Sequence, residues 1–170
     1  MNAVAISLGG NQVDSGRLLQ SALASLSQTL DKLTISSLFR TPAVSDIPQR
    51  DFLNAAAIGV TYLGPEDLLA LLKASEQLHG RRRGERWGPR LIDIDLLVYG
   101  DLVSERPELW LPHPRLRERR FYLEPLAEIA PDLQIPPDGA TVRELLQALP
   151  AGESFERIPW EDRGREELRS

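Results

Sequence analysis

Residues 80–100 read GRRRGERWGPRLIDIDLLVYG, and the second half of this stretch decides the fold around it. From Leu91 to Tyr99 every residue is apolar or aromatic except Asp93 and Asp95, which predicts a buried β-strand. Because strand side chains alternate between faces, we expect both carboxylates on one face, with Cα atoms ~7 Å apart. The aliphatic residues between them face the other way and bury the strand.

Two neighbouring carboxylates on an apolar strand do not both stay ionised unless cations neutralise them. Hard divalent cations, Mg²⁺ above all, prefer such oxygen ligands. The pattern therefore predicts a magnesium site at Asp93 and Asp95.

The first half of the stretch is rich in arginine, and its glycines and proline exclude a regular helix. The arginines are Arg81, Arg82, Arg83, Arg86 and Arg90. Their planar, fork-shaped guanidinium groups suit phosphate oxygens better than lysine does. Beside a metal-binding carboxylate pair, they predict a loop that binds a polyphosphate. The alternative is a solvated basic loop whose arginines pair with the acids of the strand.

Composition narrows the choice of function. The chain has 170 residues, of which 42% are hydrophobic, enough for one domain with a real core. It has no cysteine, which excludes disulfides, thiolate catalysis and zinc–thiolate sites. A net charge of −5 argues against nucleic acid as a partner. We see no membrane span or signal peptide, and expect a cytoplasmic protein without a membrane partner.

Hydrophobic periodicity predicts an alternation of strands and helices. The expected elements are strand 3–8, a helix from Asp14, strand 32–41, strand 52–62, a helix from Pro65 to near Gly80, strand 91–99, and helical pieces at 121–129 and 141–149. This order predicts an α+β fold with a ferredoxin-like split βαβ sheet, helices on one face and extra C-terminal elements. We place one domain at 1–149 and a charged tail at 150–170.

Two details of the first half stay ambiguous from the residues alone. Gly9 and Gly10 follow the first strand but lack the lysine of a phosphate-binding loop, so a tight turn is the simplest interpretation. Asn54 is the polar exception on one face of the strand at 52–62. A strand asparagine more often pairs with the backbone than with a ligand.

Six motifs in this order resemble the 6-hydroxymethyl-7,8-dihydropterin pyrophosphokinase family of the folate pathway. They are Arg-Thr-Pro at 40–42, Asp-Phe-Leu-Asn-Ala-Ala at 51–56, Glu-Arg-Trp-Gly-Pro-Arg-Leu-Ile-Asp-Ile-Asp at 85–95, Leu-Pro-His-Pro at 111–114, Arg-Arg-Phe at 119–121 and Pro-Leu-Ala-Glu-Ile-Ala-Pro at 125–131. The resemblance runs from the first strand to about residue 149 and does not cover the tail.

The resemblance implies transfer of the β,γ-pyrophosphoryl group of ATP to the hydroxymethyl oxygen of the pterin, with release of AMP. It implies that Asp93 and Asp95 bind two Mg²⁺ ions and act in catalysis together with Arg81 and Arg90. The positions that match ATP contacts are Glu76, Arg81, Arg83, Arg86, Arg90, Leu96, His113 and Arg119.

The resemblance also implies a pterin pocket, with Phe52 and Phe121 stacking on the ring and Asn54 hydrogen-bonded to its edge. The full set is Thr41, Pro42, Val44, Phe52, Asn54, Trp87 and Phe121. For Phe121 a purely structural place in the core is the alternative. We expect a monomer whose partners are ATP and the pterin alcohol, with no nucleic acid.

Two other classes of function remain as alternatives. A ferredoxin-like module that binds single-stranded nucleic acid would use the arginines of 81–90 and Trp87. The negative net charge and the aspartate pair argue against it. A palm-type polymerase or cyclase also places acids on such a sheet, but leaves the Phe-x-Asn strand unexplained.

Overall fold

The computed structural model describes residues 1–43, 49–79, 91–152 and 155–160. Within these ranges the chain forms four helices and ten strands. The helices are α1 (Ser15–Leu26), α2 (Pro65–Leu78), α3 (Arg120–Ile129) and α4 (Val142–Ala148). The strands are β1 (Asn2–Gly10), β2 (Asp31–Ile35), β3 (Leu38–Thr41), β4 (Phe52–Thr61), β5 (Asp93–Tyr99), β6 (Ser104–Arg106), β7 (Leu109–Leu111), β8 (Gln134–Ile135), β9 (Ala140–Thr141) and β10 (Glu156–Ile158).

The main sheet is antiparallel at every pairing. Its order is β10-β3-β4-β1-β5, with β2 also paired to β4, so β1 lies between β4 and β5. Among the described strands, β5 forms one edge. The predicted combination of helices with one main sheet is confirmed.

Helices cover both faces of the sheet. Alternate residues of β1 belong to different cores, with Ile6 under α1 and α2 and Ala5 under α3 and α4. The prediction of helices on one face therefore holds for α1 and α2 only. The reason is that the second face of the central strands is also apolar, through Ala56 and Leu97, and α3 and α4 bury it.

The predicted strand at 32–41 is interrupted at Ser36 and Ser37. The Ser36 hydroxyl accepts the N–H of Ala56 at 2.9 Å in place of a regular ladder bond. The Ser37 N–H and hydroxyl both donate to the carboxylate of Glu128 on α3, at 2.6 and 2.8 Å. Side chains thus replace part of the backbone pairing and separate β2 from β3, although the Ser36 N–H still donates to the Ala56 carbonyl at 2.9 Å.

The sheet extends beyond residue 149. β10 pairs with β3, and the Trp160 indole N–H donates to the Ser36 carbonyl at 2.9 Å. Part of the segment that we assigned to a tail therefore lies against the domain, and the boundary at residue 149 stays a prediction. No helix in the described part of the chain combines the length and apolar character needed to cross a bilayer.

Candidate functional site

Three strands bring two predicted site residues into one row. Gly9 on β1 lies opposite Asn54 on β4 and also opposite Asp93 on β5. Residues directly opposite each other in an antiparallel sheet share a face. Asn54 and Asp93 therefore face the same side, two strand spacings or ~10 Å apart, with a glycine between them.

Gly9, in the middle of this row, has no side chain and therefore leaves space above the strand. A Cβ at Gly9 would lie 3.0 Å from Asn54 Oδ1, tighter than an ordinary contact. The absence of a side chain thus gives the Asn54 amide its place and leaves space between the amide and the carboxylate.

Asp95 lies one step further along the same face of β5, opposite Ser7. Its Oδ2 accepts a hydrogen bond of 2.8 Å from the Tyr122 hydroxyl on α3. Burial and the neighbouring Asp95 carboxylate raise the pKa of Tyr122, so the phenol remains protonated and donates. This contact joins the predicted metal-binding strand to the helix above it.

Tyr122 is the centre of a cluster that the sequence analysis missed. Its ring makes edge-on contacts with His113 and Phe121, at centroid distances of 5.1 and 4.6 Å. The Arg119 guanidinium carbon lies 5.2 Å from the centroid of the Phe121 ring. Among the described residues Arg119 forms no ion pair with a carboxylate, which leaves its charge for an anion. A tyrosine next to Phe121 in an apolar helix gave no signal beyond that of a core residue.

The tautomer of His113 follows from its hydrogen bonds. Its Nδ1 accepts the backbone N–H of Arg115 at 3.2 Å, which assigns the proton of the neutral ring to Nε2. Burial lowers the pKa of His113, and this favours the neutral ring. The backbone N–H of His113 donates to the Leu97 carbonyl at 2.8 Å and fixes the residue beside β5. His113 can therefore donate one hydrogen bond from Nε2.

Four of the five predicted pterin residues in the described ranges lie around the start of β4, whereas Phe121 lies on α3 and packs against the second core. Asn54 is buried, and its Nδ2 donates to the Thr41 hydroxyl at 3.3 Å. Phe52 pairs with Thr41 in the register of β3 and β4 and is half-buried, whereas Pro42 is exposed. The Asn54 amide thus has a side-chain partner, and it also lies in the row that leads to Asp93.

Gly9 and Gly10, which we predicted as a tight turn, form the end of β1 instead, and the turn that follows them contacts the residues at which the described chain resumes. The Ser15 hydroxyl donates to the Leu91 carbonyl at 2.9 Å, and a Cβ at Gly10 would lie 2.4 Å from that same oxygen. Asn11 Nδ2 donates to Gln49 Oε1 at 3.1 Å. The two points where the described chain resumes, near 49 and 91, are therefore tied to one turn. Gly10 is needed because only a residue without Cβ allows Leu91 so close.

Glu76 and Leu96, both predicted ATP contacts, lie on the α2 side of the sheet. Glu76 Oε1 accepts the Ile94 N–H at 2.6 Å and the Lys73 ammonium at 3.2 Å. The Lys73 ammonium also donates to the Ile94 carbonyl at 3.4 Å. Glu76 therefore holds the open edge of β5 between the two aspartates, and the Leu96 side chain packs in the core. The ATP contacts of both residues stay predictions.

Several predicted site residues lie outside the described residues. They are Val44, Arg81, Arg83, Arg86, Trp87 and Arg90. Their assignments to ATP, catalysis and the pterin stay predictions.

The donor set at β5 fits a hard divalent cation. Asp93 and Asp95 offer carboxylate oxygens on one face, and both are half-buried rather than sealed in the core. Across residues 1–43, 49–79, 91–152 and 155–160, no group of three or more His, Cys, Asp or Glu residues could hold a metal. Two protein carboxylates, with phosphate oxygens and water as the other ligands, are the arrangement that Mg²⁺ commonly takes.

Comparisons with known proteins find relatives over most of the chain. Residues 5–131 match the family model of 7,8-dihydro-6-hydroxymethylpterin-pyrophosphokinase (HPPK). The chain is 38% identical over 158 residues to a 2-amino-4-hydroxy-6-hydroxymethyldihydropteridine pyrophosphokinase of Pseudomonas aeruginosa, covering 92% of this chain and 96% of the relative. It is 44% identical over 161 residues to a protein of the same name from Methylorubrum extorquens, covering 93% and 99%.

A solved structure shares the fold. A crystal structure of Plasmodium falciparum HPPK-DHPS superposes with a TM-score of 0.69 at 15% sequence identity. The superposition covers 86% of this chain and 43% of that one, so the chain spans less than half of the Plasmodium protein.

Proposed function

The chain belongs to the 7,8-dihydro-6-hydroxymethylpterin-pyrophosphokinase family, and from this membership and the site geometry we propose how it acts. It is a pyrophosphokinase of folate synthesis that uses ATP as co-substrate. In the proposed reaction the hydroxymethyl oxygen of the pterin attacks the β-phosphorus of ATP. The bond from that phosphorus to the α,β-bridging oxygen breaks, AMP leaves with the electron pair, and the hydroxyl proton is released.

The row Asn54–Gly9–Asp93 carries this proposal. A flat bicyclic ring whose edge is hydrogen-bonded to the Asn54 amide can lie over Gly9. Its hydroxymethyl group then points toward the carboxylates of β5, because the two positions are ~10 Å apart on one face. The phosphates would meet the acceptor oxygen at that end.

We propose that Asp93 and Asp95 hold two Mg²⁺ ions with the triphosphate. Bound Mg²⁺ supplies charge neutralisation and orientation of the phosphate oxygens. The strand fixes both carboxylates in advance, and Tyr122 and Ser7 flank Asp95. Transition-state charge is then met by groups that need little rearrangement.

On the ATP side, His113 and Arg119 are the described candidates for phosphate or ribose contacts. His113 offers one N–H donor at Nε2, and Arg119 offers a guanidinium held beside Phe121. We further propose that Arg81 and Arg90 act as an arginine clamp, with Arg83 and Arg86 as flanking contacts. A place near the site is supported for these arginines by the Ser15–Leu91 hydrogen bond, because Leu91 directly follows Arg90 in the sequence.

The Asn54 amide gives a prediction for the pterin. Asn54→Ala should weaken binding of the pterin alcohol by about 1–3 kcal/mol, because a buried polar edge of the ring loses its partner. Affinity for the nonhydrolysable analogue α,β-methylene-ATP should stay within about twofold. Calorimetric titration of each ligand measures both. Equal weakening of both ligands would mean that Asn54 only supports the fold.

The ferredoxin-like topology of the fold is also a proposal. The order of the main strands, β3-β4-β1-β5, with α1 and α2 as the connections on one face, supports a ferredoxin-like split βαβ core. A cytoplasmic location, a monomeric state and the absence of a nucleic-acid partner stay predictions.

The proposed acceptor can be tested by changing one atom of the substrate. With MgATP and the pterin alcohol, AMP should accumulate in step with consumption of the alcohol. The 6-methyl analogue, which lacks the acceptor oxygen, should bind but release no AMP above the rate without pterin. AMP release that is the same with both pterins would contradict the hydroxymethyl group as acceptor.

A further inference from the structure

Tyr122 contacts several predicted site residues, although it was predicted neither as an ATP contact nor as a pterin contact. Its side chain is 2% exposed, and its hydroxyl donates to Asp95 Oδ2 at 2.8 Å. Its ring lies against the rings of His113 and Phe121. One buried residue therefore touches a predicted metal ligand, a predicted ATP contact and a predicted pterin contact.

The hydrogen bond restricts how Asp95 can present its oxygens. A half-exposed aspartate can rotate its carboxylate, whereas here one oxygen is held by a donor whose own ring is packed on two sides. A ligand that is already oriented loses less freedom when a cation binds. Hydrogen bonds from outer residues to metal ligands commonly determine metal affinity in this way.

We propose that Tyr122 is a positioning residue for the cation site: its hydroxyl orients the Asp95 carboxylate for the divalent cation bound with ATP. This inference rests on the proposed function, because it assumes that Asp95 is a cation ligand. The ring and the hydroxyl have separate roles. The ring contributes to packing beneath the substrates, whereas the hydroxyl donates to Asp95 and accepts from the Arg119 guanidinium.

Removing the hydroxyl tests this role. Tyr122→Phe keeps the ring contacts and should weaken Mn²⁺ binding to the complex of the enzyme with α,β-methylene-ATP about tenfold. Mn²⁺ serves as the probe because it prefers the same oxygen ligands and is detected by electron paramagnetic resonance. Binding of the pterin alcohol should not change, since the ring stays in place.

Tyr99→Phe is the matched control. Tyr99 is also buried, lies on β5, and donates its hydroxyl to the Leu63 carbonyl at 2.7 Å, away from the aspartates. The Tyr99→Phe variant should lower thermal stability as Tyr122→Phe does, but its Mn²⁺ affinity should equal that of wild type. Circular dichroism checks the folding of both variants, and the titrations are run at a temperature at which both are folded.

Asp95→Ala separates the two ways in which the inference can fail. Mn²⁺ affinity that falls for Asp95→Ala but equals wild type for Tyr122→Phe would overturn the positioning role and leave the proposed function standing. Unchanged Mn²⁺ affinity in Asp95→Ala would overturn both, because Asp95 would then be no cation ligand. A similar loss of Mn²⁺ affinity in Tyr99→Phe would show that lowered stability weakens Mn²⁺ binding in general, and it would also overturn the inference.

Discussion

Asp95→Ala and Asp93→Ala should each lower kcat by at least about 10³-fold, equivalent to about 4 kcal/mol of transition-state stabilisation. The reason is that each carboxylate would contribute to holding the cations that neutralise the triphosphate, and the residues next to both aspartates along the strand are aliphatic. Binding of the pterin alcohol alone should be unchanged, because Asn54 and Phe52 lie on β4, two strands away from β5. Steady-state kinetics at saturating Mg²⁺ and calorimetric pterin binding measure the two effects.

Asp101→Ala is the control for this prediction. Asp101 is an exposed aspartate just beyond the end of β5, so its loss removes the same charge without touching the paired positions. Its turnover should stay within about twofold of wild type. Near-normal turnover of either Asp93→Ala or Asp95→Ala would contradict the role of the carboxylate pair.

Glu76→Ala should lower the free energy of unfolding by about 3 kcal/mol. The Glu76 side chain is 2% exposed, and its Oε1 accepts the Ile94 N–H at the edge of β5. Alanine leaves that N–H without its charged acceptor. Turnover should fall as well, because Ile94 lies between the two aspartates. Urea denaturation gives the stability and steady-state kinetics the turnover.

Two further variants separate the edge bond from the ion pair of Glu76. Glu76→Gln keeps an acceptor oxygen and should lose much less stability than the alanine variant. Lys73→Ala should cost under about 1 kcal/mol, because the Lys73 side chain is 44% exposed and water can replace much of the contact. If Glu76→Ala keeps wild-type stability but binds ATP more weakly, Glu76 contacts the nucleotide and does not hold the edge of β5.

The main elements of the fold could be predicted from the sequence because their periodicity is strong. The helix at Ser15–Leu26 buries Leu19, Ala22, Leu23 and Leu26, as the spacing of three and four residues predicted, whereas Leu30 of the same predicted face lies beyond the end of the helix. Pro65 begins α2 as its first-turn preference indicates. The alternation around Asp93 and Asp95 predicted that both face away from Ile94, as the structure has them.

The short elements could not be predicted in the same way. Strands of two or three residues, such as β8 and β10, contain too few positions to show a period. The separation of β2 from β3 depends on Glu128, which is 91 residues away from Ser37. Long-range partners of this kind are not visible in local sequence.

The candidate site, like the fold, could be predicted from the sequence only in part. The aspartate pair follows from strand geometry, and Asn54 entered the site through the resemblance, because a lone asparagine has a common structural explanation. Tyr122 was missed since a tyrosine on an apolar helix face looks like any core aromatic residue. The row Asn54–Gly9–Asp93 depends on the register of three strands, which the sequence does not specify.

Phosphorus-31 NMR of the complete reaction mixture tests the central claim most directly. With ATP, Mg²⁺ and the pterin alcohol, the proposed reaction predicts AMP together with a pterin diphosphate. The diphosphate should give two mutually coupled phosphorus signals, because the β- and γ-phosphorus atoms move as one group. ADP together with a pterin monophosphate, seen as a single uncoupled ester signal, would show transfer of the γ-phosphoryl group alone and would contradict pyrophosphoryl transfer.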